Sequence, residues 1–231
     1  MDPINPDKII KADFTKNERQ TRLIVILEEA FLETVQVKEK YQLLNSDDHH
    51  DILAKNKRKS DEARPDILHQ TILSLVDSPL NKAGLLQIFI RTKLNQIIYI
   101  NPAIKFPRTY KRFAGLMVQL LHKHIIRAAD TGDVLLRLIK GPITRHIPLN
   151  IDTIMLSRDA EMVDFQDYVL ENYSNDLNSN TPICFVIGAV AHGHLNPDYV
   201  SKKIAISQYP LSAASVAARV CLSFERLWAV K

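Results

Sequence analysis

The chain has 231 residues, 30 Lys+Arg against 26 Asp+Glu, and a formal net charge of +4. With 46% hydrophobic and 24% charged residues it can bury a sizeable core, which excludes disorder for most of its length. Two cysteines exclude a disulfide framework. The longest uncharged apolar stretch, Ile183–Ala191, falls far short of the ~20 residues of a membrane span, and Met1–Asn17 lacks the apolar core of a secretory signal. The expectation is a soluble protein of a reducing compartment.

Residues 1–20 read as a flexible polar arm and 21–231 as a single domain. Arg22–Leu27 is a short Ile/Val-rich run, a buried strand. Residues 36–47 are mixed, and Ser46 or Asp47 is placed to cap a short helix through about Lys57. Pro65 suits the first turn of a helix whose Leu68, Ile72, Leu75 and Val76 share one face, with Ser78-Pro79 ending it. Leu86–Arg91 and Gln96–Ile100 predict a hairpin, read as part of an extension near 85–112. Phe113, Leu116, Met117, Leu120, Leu121 and His124 predict a long helix over Tyr110–Ile126. Asp133–Lys140 reads as a short helix stopped by Gly141-Pro142. Strands are predicted at Ile151–Leu156, Ile183–Ile187 and Ile204–Ser207, with helices near Val163–Tyr173 and over Ser212–Trp228. This alternation argues an α/β fold with mainly parallel pairing in the C-terminal half.

Charge is unevenly spread. From Ser78 to Ala129 there is no Asp or Glu, while Lys82, Arg91, Lys93, Lys105, Arg108, Lys111, Arg112, Lys123 and Arg127 carry nine positive charges. Tyr110 and Phe113 interleave with the densest part. Such a segment attracts a phosphate backbone, unless acids from elsewhere in the fold meet it and leave an ordinary solvated face.

The run Asp47-Asp48-His49-His50-Asp51 has the composition of a divalent-metal site. Neighbours on a helix diverge, however, so at most two could share an ion, with His69 or another His brought from elsewhere. The plainer reading is a helix start whose acids favour the dipole. His192-Gly-His194 is a second possible ligand pair without further partners. There is no G-x-G-x-x-G after a strand, no phosphate-binding G-x-x-x-x-G-K-[ST] and no G-x-S-x-G. Cys184 and Cys221 lie among apolar neighbours and read as inert core thiols. Two strand ends stand out: Ile183–Gly188, with Gly193 five residues on, and Ile204–Ser207, which leads through Gln208-Tyr209-Pro210-Leu211 into a helix. Ligands of open α/β sheets bind at such carboxyl ends, where glycine lets backbone approach closely; ordinary turn chemistry is the alternative.

Three blocks make the chain recognisable. They are Arg64-Pro-Asp-Ile67 with His69-Gln70 and Asp77-Ser-Pro-Leu-Asn-Lys-Ala-Gly84; Asn101-Pro102 with Phe106-Pro-Arg-Thr-Tyr-Lys-Arg-Phe113 and Gly115–Leu121; and Gly188-Ala-Val-Ala-His-Gly193 with Ile206-Ser-Gln-Tyr-Pro-Leu-Ser-Ala213. In this order and spacing, over roughly residues 20–230, the chain resembles the ribosome-biogenesis rRNA pseudouridine N1-methyltransferases, a SPOUT-class family, in its eukaryotic branch.

That resemblance implies a C-terminal trefoil knot, S-adenosylmethionine as cofactor, no metal, homodimerisation, small-subunit rRNA as substrate, ribosome-assembly partners and a nucleolar setting in the nucleus. It implies cofactor contacts at Leu156, Gly188, Gly193, Ile206, Ser207, Gln208, Tyr209, Pro210 and Leu211. The flank of Leu156, Ser157-Arg158-Asp159, matches only in part. RNA contacts are implied at Arg64, Lys105, Arg108 and Arg112, where Lys105 stands at a place commonly Arg and keeps the charge without the bidentate fork. Arg64 and Asp77 are the candidate catalytic pair, Arg64 as a cation facing the developing anion and Asp77 as base or orienting group. Asp77 reads equally well as a turn-bonding residue beside Ser78-Pro79, and Arg64 and Asp66, either side of Pro65, are expected to pair. The rivals are a non-catalytic rRNA-binding assembly factor and a metal-dependent hydrolase built on Asp47–Asp51, His69 and His192.

Overall fold

A computed structural model of the chain describes residues 23–149, 151–174 and 182–231; the arm expected at 1–20 lies outside the described residues. The run Leu23-Ile-Val-Ile-Leu27 is apolar at every position because its strand is covered on both faces. This strand, β1 (Leu23–Ala30), lies between β9 (Ile183–Gly188) and β4 (Leu86–Thr92), parallel to both. On one face Leu23, Val25 and Leu27 join Leu86, Ile88, Phe185 and Ile187 in the larger core. On the other, Ile24 and Ile26 join Phe89, Cys184, Val186 and Met155, closed by Ile143, Ile147 and Leu195. Burial pushes the Cys184 and Cys221 thiols up to about 12, so both are inert as nucleophiles.

Eight strands make one sheet in the order β10-β8-β9-β1-β4-β5-β7-β6. Here β5 is Ile97–Ile100, β6 Ile125–Arg127, β7 Val134–Ile139, β8 Thr153–Leu156 and β10 Lys202–Ile204. The four pairings from β10 to β4 are parallel and the three from β4 to β6 antiparallel. The fold is α/β with a mainly parallel sheet.

Helix α2 (Pro65–Val76) starts at its proline, and its Leu68, Ile72, Leu75 and Val76 enter the larger core. It packs against α6 (Ala213–Leu227), where the Ser74 hydroxyl donates to the Ala214 carbonyl at 3.1 Å. Between them in sequence lie α3 (Pro79–Lys82), α4 (Tyr110–Lys123) and α5 (Phe165–Tyr173); α1 is His50–Lys55.

Several elements differ from the sequence reading. Asp133–Lys140 is not a helix. Its apolar run Val-Leu-Leu-Arg-Leu-Ile is too short for periodicity to decide, and the open edge of β5 takes it as a strand. The hairpin at 86–100 forms, but β4 sits beside the central strand and β5 extends the same sheet. The long helix stops at Lys123, where His124 turns left-handed (φ 62°), and Ile125–Arg127 leaves as β6. The 36–47 region contains a hairpin, β2 (Thr34–Val37) and β3 (Lys40–Leu43). Neither Ser46 nor Asp47 caps α1: the Asn45 side chain accepts from the amides of Asp47 and Asp48. Ile206 and Ser207 lie past the end of β10, in the loop before α6.

A buried carboxylate joins three parts of this frame. Glu28, near the end of β1, is 1% exposed and is bonded to Arg91 of β4 and to the hydroxyl of Tyr199. Burial pushes its carboxyl up more than those partners pull it down. Its main chain pairs with Gly188, and its carbonyl accepts from the Ala189 amide at 2.8 Å.

Candidate active site

The carboxyl ends of β8 and β9 and the loop after β10 open into one cleft of about 560 Å³. Its walls are Leu156–Asp159, Gly188 with Val190–Leu195, Ile206, Ser207 and Tyr209–Ala214, and the start of α2 from Arg64 to Thr71. Eight of the nine expected cofactor positions line it: Leu156, Gly188, Gly193, Ile206, Ser207, Tyr209, Pro210 and Leu211. Gln208 is exposed and lies outside the lining.

Local chemistry explains these loops. Gly193 has φ +122°, a conformation that side chains disfavour. At Gly188 a Cβ would come within 2.9 Å of the Leu195 side chain, so a methyl there would push Leu195 aside. The Ser207 hydroxyl accepts from the Tyr209 amide at 3.0 Å and turns the chain, leaving the Tyr209 ring 75% exposed. Ser212 then caps α6 by accepting from Ser215. Sequence reasoning missed a tie across the cleft wall, where His194 Nδ1 lies 2.7 Å from Asp159 Oδ2. The two loops are far apart in sequence, and no local signal joins them. Glycine-edged strand ends, main-chain groups and a half-open aromatic suit a flat heterocycle with a short polar tail, so the residues fit an S-adenosylmethionine-sized ligand.

Arg64 looks into this cleft from just before α2. It donates to Asp66 through Nε (2.8 Å to Oδ1) and Nη2 (2.7 Å to Oδ2), the pairing expected from the sequence. Burial raises the Asp66 carboxyl, but Arg64 and the Ile67 amide outweigh it and hold the group below the usual carboxylate range. A depressed carboxyl contributes stability above its unfolded pKa and loses it as pH falls through the folded one. At 35% side-chain exposure, screening limits the pair to about 1 kcal/mol, and glycine in a helix costs about 1 more. Asp66→Gly is therefore expected to lower Tm by roughly 4–8 °C at neutral pH. The gap should narrow below about pH 4, as calorimetry across pH will show.

Asp77 stands elsewhere. It follows the last residue of α2, so the whole 12-residue helix, roughly 18 Å, separates it from Arg64. It holds Arg108 by both oxygens (2.8 and 3.2 Å) and does not line the cleft. Within one chain the structure does not bring the two candidate catalytic residues together.

Lys105, Arg108 and Arg112 are all exposed, Arg108 by 75% even while paired. Ile104 and Phe106 anchor the first of these from either side by burying. His69 donates Nε2–H to the Pro107 carbonyl at 2.8 Å and stacks on Phe113 with ring centres 4.4 Å apart, so it fixes the basic segment to α2. His49 is also engaged, bonding Gln42 and the Asn45 amide. Among the described residues no three His, Cys, Asp or Glu side chains converge as a metal site, and no helix is long and apolar enough to cross a membrane.

Comparison with known proteins gives a consistent answer. The family model for EMG1/NEP1 methyltransferase matches residues 25–225. The ribosomal RNA small subunit methyltransferase NEP1 of Drosophila melanogaster is 48% identical over 215 residues, covering 93% of this chain and 85% of the relative. The Homo sapiens protein of the same name is 49% identical, covering 90% and 83%. The crystal structure of Archaeoglobus fulgidus Nep1 bound to S-adenosylhomocysteine shares the fold, with a TM-score of 0.73 and 23% identity over 91% of this chain and 99% of that one. The chain belongs to the EMG1/NEP1 methyltransferase family.

Proposed function

We propose that this chain is an rRNA methyltransferase of the small ribosomal subunit, which uses S-adenosylmethionine to methylate N1 of a pseudouridine. The observation that carries the reading is a glycine-edged cleft with Arg64 in its wall, in a chain whose basic segment, Ser78–Ala129, has no acid of its own. The same reading includes a trefoil knot at the C-terminus, a homodimer, and work beside ribosome-assembly proteins in the nucleolus.

When bound, the cofactor supplies an electrophilic methyl on a sulfonium. The loops at Gly188–Leu195 and Ile206–Leu211 orient it and exclude water. A target base inside folded RNA must leave its stack to reach the cleft. In this reading the Arg64 guanidinium, its plane fixed by Asp66, faces the charge that grows on the base as N1 releases its proton to solvent and takes the methyl. Orientation of two bound reactants can contribute roughly 7–11 kcal/mol.

Asp77 serves here as the holder of Arg108, releasing it to phosphate when RNA arrives. Asp77→Asn is expected to keep turnover within about threefold and to tighten RNA binding. A fall in kcat of about 10²–10⁴ with unchanged RNA affinity would assign it as the base instead. Arg108→Ala should reduce the slope of log K against log salt by roughly 0.7–0.9, the share of one phosphate.

The decisive experiment incubates the protein and S-adenosylmethionine with an rRNA hairpin carrying either pseudouridine or uridine, followed by mass mapping. One added methyl on the pseudouridine hairpin alone is the expected result. RNA binding without methyl transfer or cofactor binding would favour the non-catalytic assembly factor.

A further inference from the structure

The hairpin β2–β3 and the end of α4 form a surface that the cleft does not use. Leu43 points into the larger core, so Tyr41, two residues earlier on the same strand face, points toward α4. There it meets His122 edge-to-face, with ring centres 4.5 Å apart. The contact does not bury either ring: Tyr41 is 52% exposed, and His122 is exposed.

This aromatic pair ends a cationic track. Helical spacing puts Arg112, Gly115, Gln119 and Lys123 on one side of α4, with His122 beside them, and all are exposed. The helix contains no acid at all. Gly115 is the odd residue, since glycine weakens a helix interior. Among the described residues nothing lies within 4 Å of where its Cβ would sit, so no packing between them calls for it. A bare backbone at the centre of a positive face admits a ligand closer than any side chain would.

We infer that this face binds single-stranded RNA, resting on the reading above: the rRNA tail beside the methylated hairpin runs along α4 past Arg112 and Lys123 and stacks a base on Tyr41–His122. Charge complementarity selects the occupant. A polyanion satisfies the acid-free helix, and an unpaired base covers rings that their mutual contact leaves exposed. The only acid at the hairpin tip is Glu39, between Lys38 and Lys40.

The test uses the full chain and two RNAs, a blunt pseudouridine hairpin and the same hairpin with an unpaired tail of about ten nucleotides. The wild type should bind the tailed RNA more tightly. Tyr41→Ala and His122→Ala should each lose about tenfold on the tailed RNA and nothing on the blunt one, while Tyr41→Phe keeps the gain. Melting curves and methylation of the blunt hairpin should match the wild type for all three. If the tail adds no affinity, or Tyr41→Ala retains it, the inference fails while the proposed activity stands. If Tyr41→Ala instead changes the mass of the protein in solution, the face is a contact between copies and the inference is again overturned. A wild type that binds neither RNA overturns both readings.

Discussion

Arg64→Ala is expected to reduce turnover by about 10²–10³-fold with cofactor affinity nearly unchanged, the usual loss when one preorganised donor to a developing anion is removed. The reason is geometric. Asp66 takes Nε and Nη2, which locks the guanidinium plane, and Arg64 lines the cleft. Because the pair is partly exposed, its loss costs at most about 1 kcal/mol of stability, too little to explain such a fall through unfolding. Arg64→Lys should recover only a small part, since an ammonium cannot be held flat by two oxygens. Single-turnover methylation beside calorimetric cofactor titration will separate the two quantities; equal losses in both would make Arg64 a cofactor-site residue.

Glu28→Ala is expected to have the largest effect on stability, about 3–5 kcal/mol, or roughly 10 °C in Tm. Removing one member of a buried charged cluster strands the others. Arg91 would lose its carboxylate and the Tyr199 hydroxyl its acceptor. The consequence reaches the cleft, because Tyr199 belongs to the segment that follows the Gly188–Leu195 wall, and Glu28 sits in register with Gly188 itself. Cofactor affinity should therefore fall at temperatures where the variant is still folded. Melting curves with and without the cofactor will show it as a reduced ligand-induced rise in Tm.

How much could be read from the residues alone depended on the range of the interaction. Pro65 with Leu68, Ile72 and Leu75, and Ser212 ahead of an apolar stripe, carry their own helix signals, and both helices formed where expected. The strand Ile183–Ile187 was equally legible, because two-sided burial demands an unbroken apolar run. Val134–Ile139 was not, since five apolar residues around Arg137 become strand only when a neighbouring edge is free. The expected cofactor positions came from a family resemblance, and the strand-end glycines alone pointed to the end of the sheet where the cleft opens. The distance between Arg64 and Asp77 needed no structure, since a helix between them already implies it. What the sequence hid was partnership across long separations: Asp77 with Arg108, Asp159 with His194, Glu28 with Tyr199.

The central position of β1 also governs how the chain acquires its shape. Leu23 pairs with Leu86 on one side but with Ile183 on the other, 160 residues later. During synthesis at ~5–20 residues per second, one edge of this strand waits on the order of ten seconds for its neighbour. Until then an entirely apolar ribbon, Leu-Ile-Val-Ile-Leu, offers unpaired amides and carbonyls to any passing strand. Nascent chains truncated before Ile183 should aggregate or recruit chaperones, and folding of the whole should be slow for its size, because the central strand's second pairing closes so long a loop.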